Sequence, residues 1–275
     1  MKALFTLSPT ESKRLIAKGA VKSEVIQKAR DEGLIAVSWS TTNAYVAEEL
    51  LGKTIDKEKY CAGLITKGVT CATSGEKRPP MVILDKGRPV NLSFKEALSK
   101  FKAGDVYVKG ANAIDPFGVA GILLAGETGG TIGAAIGTIM ARGAKLVIPV
   151  GLEKMIPSVT EASRISGIHS VDYSIGASCG VMPLTNCEII TEMEALEYLA
   201  DVEAIPISAG GQREMQGSVV MLIEGPDENV QTAIEIVEKI KGEEPVHVKK
   251  RDCETCDMVC NFAGKRIEEL PPYLR

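Results

Sequence analysis

The stretch from Asp105 to Pro157 constrains the fold more than any other part of this 275-residue chain. Two short apolar runs, Asp105-Val106-Tyr107-Val108 and Lys145-Leu146-Val147-Ile148-Pro149-Val150, flank the glycine-rich segment Gly126-Glu127-Thr128-Gly129-Gly130-Thr131-Ile132-Gly133 and an Ala/Ile/Met helix. Apolar runs with β-branched residues and charged or glycine ends suit central parallel strands, whose two faces are both covered. Strand, glycine turn, helix and strand make a right-handed crossover, and ligands of such units lie beyond the carboxyl ends of the strands. Gly110 to Asp115, the glycine turn and Gly151 to Lys154 are therefore expected on one rim. Glycines spaced this closely let the backbone approach a ligand, and the N–H groups at the helix start can hold an anion.

The rest of the chain fits the same architecture. Its length suits one large domain, or a large domain with a small companion. The apolar fraction is 45% but aromatics make up only 4%, so Val, Ile, Leu and Ala must fill the interior. That is the usual composition of an α/β protein with a mostly parallel, doubly wound sheet. The net charge of −4, with both signs mixed along the sequence, lacks the basic stripe that non-specific nucleic-acid binding needs. Neither a secretory signal nor an apolar run of membrane-spanning length is evident, which implies a cytoplasmic protein with no membrane partner.

Local signals place the elements. Ser8-Pro9-Thr10-Glu11 is a capping box with proline at the first helical position, and a second helix runs from about Lys22 to Gly33. A strand at 34–38, a loop at 39–42, a helix at 43–51 and a strand near 60–66 follow. Met81 to Asp85 reads as a strand, with Lys86 to Pro89 able to turn it into a hairpin. Capped helices open at Ser93, Ser158 and Thr191. Residues 1–200 form the expected main domain and residues 201–250 a small α+β subdomain of β–β–α–β order, closed by Val246-His247-Val248. Residues 251–275 form a cysteine-bearing tail.

Gly110-Ala111-Asn112-Ala113-Ile114 through Gly118, then Gly126 to Gly137, then Val150-Gly151-Leu152-Glu153-Lys154, resemble the superfamily of ribose-5-phosphate isomerase, glucosamine-6-phosphate deaminase and coenzyme A transferases. Within it the likeness is closest to the lactate-utilisation (LUD) type domain. It covers residues 20–200, specific around 105–157 and loose elsewhere. The resemblance implies an enzyme of LUD, transferase or isomerase kind that handles a small phosphorylated or carboxylated metabolite at the strand rim. Two departures argue against an ordinary sugar-phosphate isomerase. Asn112 stands where such an enzyme has a proton-transfer acid, and an amide is no general base. The first loop offers the hydroxyls of Ser38, Ser40, Thr41 and Thr42 in place of glycines.

Asp115 and Glu127 are the remaining carboxylates near the rim and, with Asn112, the candidate catalytic residues. Glu127 within the turn suits general acid–base work, or simply complements a helix dipole. Asn112 could bind a substrate carbonyl or serve as a turn residue. The expected ligand-binding set is Ser40, Thr41, Gly110, Gly129, Gly130, Thr131, Gly151 and Lys154, with the lysine pairing an anion held by the turn.

Seven cysteines, irregularly spaced, point to thiols or metal ligands and not to a disulfide framework. Cys253-x2-Cys256-x3-Cys260 can bring thiolates together on zinc or an iron–sulfur cluster. Absence of the ferredoxin Cys-x2-Cys-x2-Cys spacing leans to zinc, and a fourth ligand would come from Cys61, Cys71, Cys179, Cys187, His247 or a partner chain. A competing reading places the three on one buried stripe of a helix. These features leave two classes of function open. One is an enzyme or specific binder of a small anionic metabolite. The other is a non-catalytic regulatory or accessory protein whose cysteine tail holds a metal or meets a redox partner, with a homo-oligomer possible in either class.

Overall fold

The computed structural model describes residues 1–275. The first half of the chain forms β1 (Lys2–Leu7), α1 (Pro9–Ala20), α2 (Glu24–Glu32), β2 (Leu34–Val37), α3 (Thr41–Leu51), β3 (Gly63–Thr66), β4 (Val69–Ala72), β5 (Val82–Asp85), β6 (Arg88–Pro89), α4 (Phe94–Lys100) and β7 (Val106–Val108). Next come β8 (Ala113–Ile114), β9 (Ala120–Leu124), α5 (Gly130–Arg142), β10 (Lys145–Pro149), α6 (Val159–Ile165), β11 (Gly180–Leu184) and β12 (Glu188–Ile190). The last elements are α7 (Glu192–Ala200), β13 (Glu203–Gly210), β14 (Ser218–Glu224) and α8 (Asp227–Ile240). Reciprocal capping boxes at Ser8/Glu11, Ser93/Glu96 and Thr191/Glu194 start α1, α4 and α7, each satisfying backbone N–H groups that the first helical turn leaves unpaired.

The central sheet has six strands in the order β12-β10-β7-β2-β5-β6. β12, β10, β7 and β2 run parallel, while β5 joins β2 antiparallel and β6 folds back on β5. The strands expected near 34–38, 105–109 and 145–150 are neighbours, with Val106 opposite Ile35 on one side and Lys145 on the other. Alternation along these strands feeds two separate cores. Ile35, Val37, Val106, Val108 and Val147 meet Leu15, Ile26, Tyr45 and Leu196 from α1, α2, α3 and α7. Leu34, Ala36, Tyr107, Leu146 and Ile148 meet Leu98 of α4 and Ile132 and Ile139 of α5. Helices thus cover both faces of a mixed, mostly parallel sheet.

Two expectations need correction. Val246–Val248 forms no strand; the small antiparallel sheet is ordered β1-β14-β13, so the N-terminal residues Lys2–Leu7 take the edge of β14 and β13 takes the other. With both edges of β14 occupied, the 246–248 segment has no backbone partner there. Second, the glycine turn does not follow β7 directly. β8 and β9 intervene and form another antiparallel sheet with β11, so the strand entering the turn is β9. Gly33, where α2 ends, is extended (φ −132°). A Cβ there would lie 2.6 Å from Asp105 Oδ1, and that carboxylate accepts the N–H groups of Leu34 and Lys102 at 2.8 and 2.6 Å.

Close helix packing depends on another glycine. A Cβ on Gly19 would fall 2.4 Å from the Ala195 Cα, so α1 and α7 touch backbone to backbone. Gly19→Ala should therefore lower the unfolding free energy by about 1–3 kcal/mol through overpacking, despite alanine's better helix propensity. Urea unfolding would measure this; unchanged or raised stability would mean the two helices separate at little cost.

Beyond Ile240 the chain contains only short 3-10 turns, Ile267–Glu269 and Pro272–Leu274. The tail lies against the β3–β4 hairpin through Arg251 N–H to Ala72 O at 2.8 Å. No helix is long and apolar enough to cross a membrane.

A cleft lined by lysines and a helix start

A cleft of about 510 Å³ opens at the carboxyl ends of β2 and β7. The loop after β2 supplies Trp39, Ser40 and Thr41, the segment after β7 supplies Lys109 to Asn112, and the glycine turn supplies Gly126, Glu127 and Gly129 to Thr131. Lys154 enters from beyond β10, Arg78 from the loop before β5, and Arg251 and Asp257 from the tail. Of the expected ligand-binding set, Ser40, Thr41, Gly110, Gly129, Gly130, Thr131 and Lys154 share this one cleft.

The glycine turn is shaped by conformations that side chains rarely adopt. Gly129 (φ 75°) and Gly130 (φ 59°) are both left-handed, which only glycine reaches without strain. They deliver the chain to α5 with no side-chain cap. The first N–H groups of a 13-residue helix therefore face the cleft without the Ser, Thr or Asp that usually covers them. On the opposite wall, Ser40 caps α3 by accepting the Asn43 N–H at 3.0 Å. Gly110 allows Ser40 to approach, since a Cβ there would lie 2.6 Å from the Ser40 Oγ.

The two lysines in the cleft lack counter-charges. Lys154 Nζ donates to the Ala111 carbonyl at 3.0 Å. Lys109 Nζ has only a long 3.5 Å contact to the Gly110 carbonyl, and neither lysine forms a salt bridge. Burial, reinforced by the charge of Lys154, pushes the Lys109 amine down to about 8. Arg78 spends its donors on Thr73 Oγ1 at 2.7 Å and Thr73 O at 2.8 Å while stacking over Trp39 at 5.8 Å. The two carboxylates lining the cleft are engaged elsewhere: Glu127 lies 3.4 Å from His169, and Asp257 pairs with Arg251.

The three expected catalytic residues have different surroundings. Asp115 does not line the cleft. It is buried, accepting the N–H groups of Phe117 and Val119 at 3.0 Å and of Val159 at 2.9 Å. Burial alone would raise its pKa, but the three backbone donors outweigh it and hold the carboxyl below its usual range. It braces the β8–β9 turn against the start of α6 and cannot serve as a rim acid. Asn112 lines the cleft but also holds this hairpin, its Oδ1 accepting the Leu123 N–H at 3.0 Å. Glu127 lines the cleft with its side chain 72% exposed and 3.4 Å from His169.

Gly151 is likewise displaced from its expected role. It is buried outside the cleft, with Glu153 Oε2 packed where a Cβ would project, 1.8 Å from that position. The Gly151–Lys154 turn is pinned by Leu152 N–H to Glu192 Oε2 at 2.9 Å. Burial and the charge of Glu153 push the Glu192 carboxyl up to about 7. This turn aims Lys154 into the cleft; Gly151 acts by permitting the packing.

Lys109, Arg78 and the Trp39 ring are among the cleft residues not anticipated from sequence. Lys109 carried a readable signal, a cation at the exit of a buried strand and directly before a glycine.

The tail cysteines are not helical: residues 251–260 are bends and turns, which removes the reading of a buried helical stripe. Cys253, Cys256 and Cys260 line one small apolar pocket together with Cys71 of β4. No three His, Cys, Asp or Glu side chains converge closely enough to hold a single ion. Comparison with protein-family models gives no match for this chain, and comparison with curated proteins gives none either.

Proposed function

We propose that the cleft binds and transforms a small anionic metabolite, phosphorylated or carboxylated. The observation that carries this reading is the pairing of Lys109 and Lys154, unneutralised by any carboxylate, with the uncapped start of α5. Two ammonium groups kept together without a counter-ion cost Coulomb energy that a bound anion would relieve. Helix N–H groups add donors that need no side-chain ordering. The partly neutral Lys109 amine also supplies a base or nucleophile at the rim, a role for which lysines with lowered pKa are suited.

We further propose membership of the ribose-5-phosphate isomerase and coenzyme A transferase superfamily, LUD-type, with a doubly wound sheet in a cytoplasmic protein. Four parallel strands, helices on both faces and a cleft at the strand ends are consistent with it. Without Asp115, and with Glu127 exposed, the proton-transfer pair of a sugar-phosphate isomerase has no counterpart. That favours chemistry centred on Lys109.

Mass spectrometry of small molecules released from gently purified protein should yield a phosphorylated or carboxylated compound. Lys154→Ala should weaken its rebinding by about 1–3 kcal/mol, the usual effect of losing a charged hydrogen-bond partner. An affinity unchanged in this variant would place the ligand elsewhere.

A further inference from the structure

We propose that Cys71, Cys253, Cys256 and Cys260 are the four ligands of a cubane iron–sulfur cluster that fastens the tail to the β3–β4 hairpin. The first support is convergence from distant positions. Cys71 lies in β4, some 180 positions before the other three, yet all four thiols line the same pocket. None of the four is in a disulfide and all are half-buried.

The second support is that the tail lacks other means of holding its shape. It has no α-helix or strand after Ile240. Its own apolar cluster has four buried members, Val69, Phe262, Leu270 and Leu274, against which Cys71, Cys253 and Cys260 pack. A core this small does not offset the entropy of ordering some thirty residues, and comparable natural units rely on a metal or disulfides. Metal binding supplies that free energy because only the folded chain presents the complete ligand set.

Donor chemistry and spacing select the class of cofactor. An all-thiolate set suits zinc or an iron–sulfur cluster. Tetrahedral zinc at its usual bond length needs sulfurs about 3.8 Å apart, and the thiols do not gather closely enough for one ion. A cubane carries one thiolate on each iron corner and so accepts a wider ring of sulfurs. The lining is otherwise largely apolar. Two donors already point at sulfur: Lys250 Nζ to Cys253 Sγ at 3.1 Å and Phe262 N–H to Cys260 Sγ at 3.3 Å. Such hydrogen bonds are a principal means by which proteins tune clusters. Four thiols release four protons on ligation, and Lys250 lies in the pocket wall to offset part of the negative charge of the product.

The test is iron and acid-labile sulfide analysis of full-length protein purified without oxygen, or reconstituted anaerobically with sulfide and equal parts of ferrous and ferric iron. About four of each per chain are expected, with a broad visible absorption that dithionite bleaches. Cys71→Ser and Cys256→Ser should each cut the iron content at least several-fold. Cys187→Ser, whose thiol lies outside the pocket, should retain it, and far-UV circular dichroism would verify that each variant is folded. One zinc per chain without iron, or no iron after reconstitution of folded protein, would overturn the proposal. So would a Cys71→Ser variant with full iron content.

Discussion

Replacing Asp115 with alanine should lower the unfolding free energy by about 3–5 kcal/mol, since each buried N–H left without a partner costs about 1–3 kcal/mol. Two of its three donors, Val119 N–H and Val159 N–H, are fully enclosed, whereas Phe117 projects to solvent and its N–H can be hydrated. Asp115→Asn should fall between. One side-chain oxygen can still accept from Phe117 and Val119, but the amide NH2 would confront the Val159 donor. The difference depends on pH with a defined sign. The folded-state pKa of Asp115 is lowered, so its stabilisation is complete above the unfolded value of about 3.9 and is lost as pH falls through the lower folded value. Urea unfolding of wild type and both variants near neutral pH would measure the effect. A loss below about 1 kcal/mol would contradict the role of Asp115 as the brace of this turn.

Local chemistry made much of this fold legible. Capping boxes at Ser8, Ser93 and Thr191 mark three helix starts to the residue, because that signal lies within four positions of sequence. The apolar runs of β2, β7 and β10 identify strands buried on both faces. The partners of short strands were not legible. β8, β9 and β11 contain glycine or proline or span only two residues, so they carry no period from which to read a strand. Val246–Val248 alternates as a strand should, yet β1 occupies the available edge from more than 200 positions away. Periodicity assigns an element type; it does not choose among competing edges.

The candidate site was legible to the same degree. The glycine turn and Lys154 stand out because their residue types are unusual for their positions. Asp115 and Glu127 look alike in sequence, two acids near one rim, and only the backbone donors around Asp115 distinguish a brace from a cleft residue. Lys109 is readable as a cation at a strand exit, but its lowered pKa comes first from burial and then from the charge of Lys154, 45 positions later, and no local pattern encodes either. The four-cysteine pocket likewise needed the fold, because nothing in the sequence around Cys71 ties it to the tail.

Removing both cleft lysines should abolish anion binding almost entirely. Each charged donor contributes about 1.5–3 kcal/mol, so a Lys109→Met/Lys154→Met protein should bind at least about 100-fold more weakly. Methionine keeps much of the apolar stem and deletes the charge, which limits collapse of the cleft. The unliganded protein should not lose stability from the lost charges, because Lys109 and Lys154 repel one another and Lys109 is charged against the penalty of burial. With its folded-state pKa depressed to about 8, Lys109 makes the folded protein more stable as pH rises from about 8 towards its unfolded value of about 10.4. Anion binding has the opposite trend, because the ligand needs the ammonium form. Affinity should be flat below about pH 8 and fall by up to tenfold per pH unit above it.

Calorimetric titration with sulfate, an anion of constant charge over this range, tests the central claim most directly. Wild-type protein should bind it at about pH 7, bind it several-fold more weakly at about pH 9, and lose binding in the double variant. Equal sulfate affinity in wild type and the folded double variant would show that the lysine-lined cleft is not the anion site.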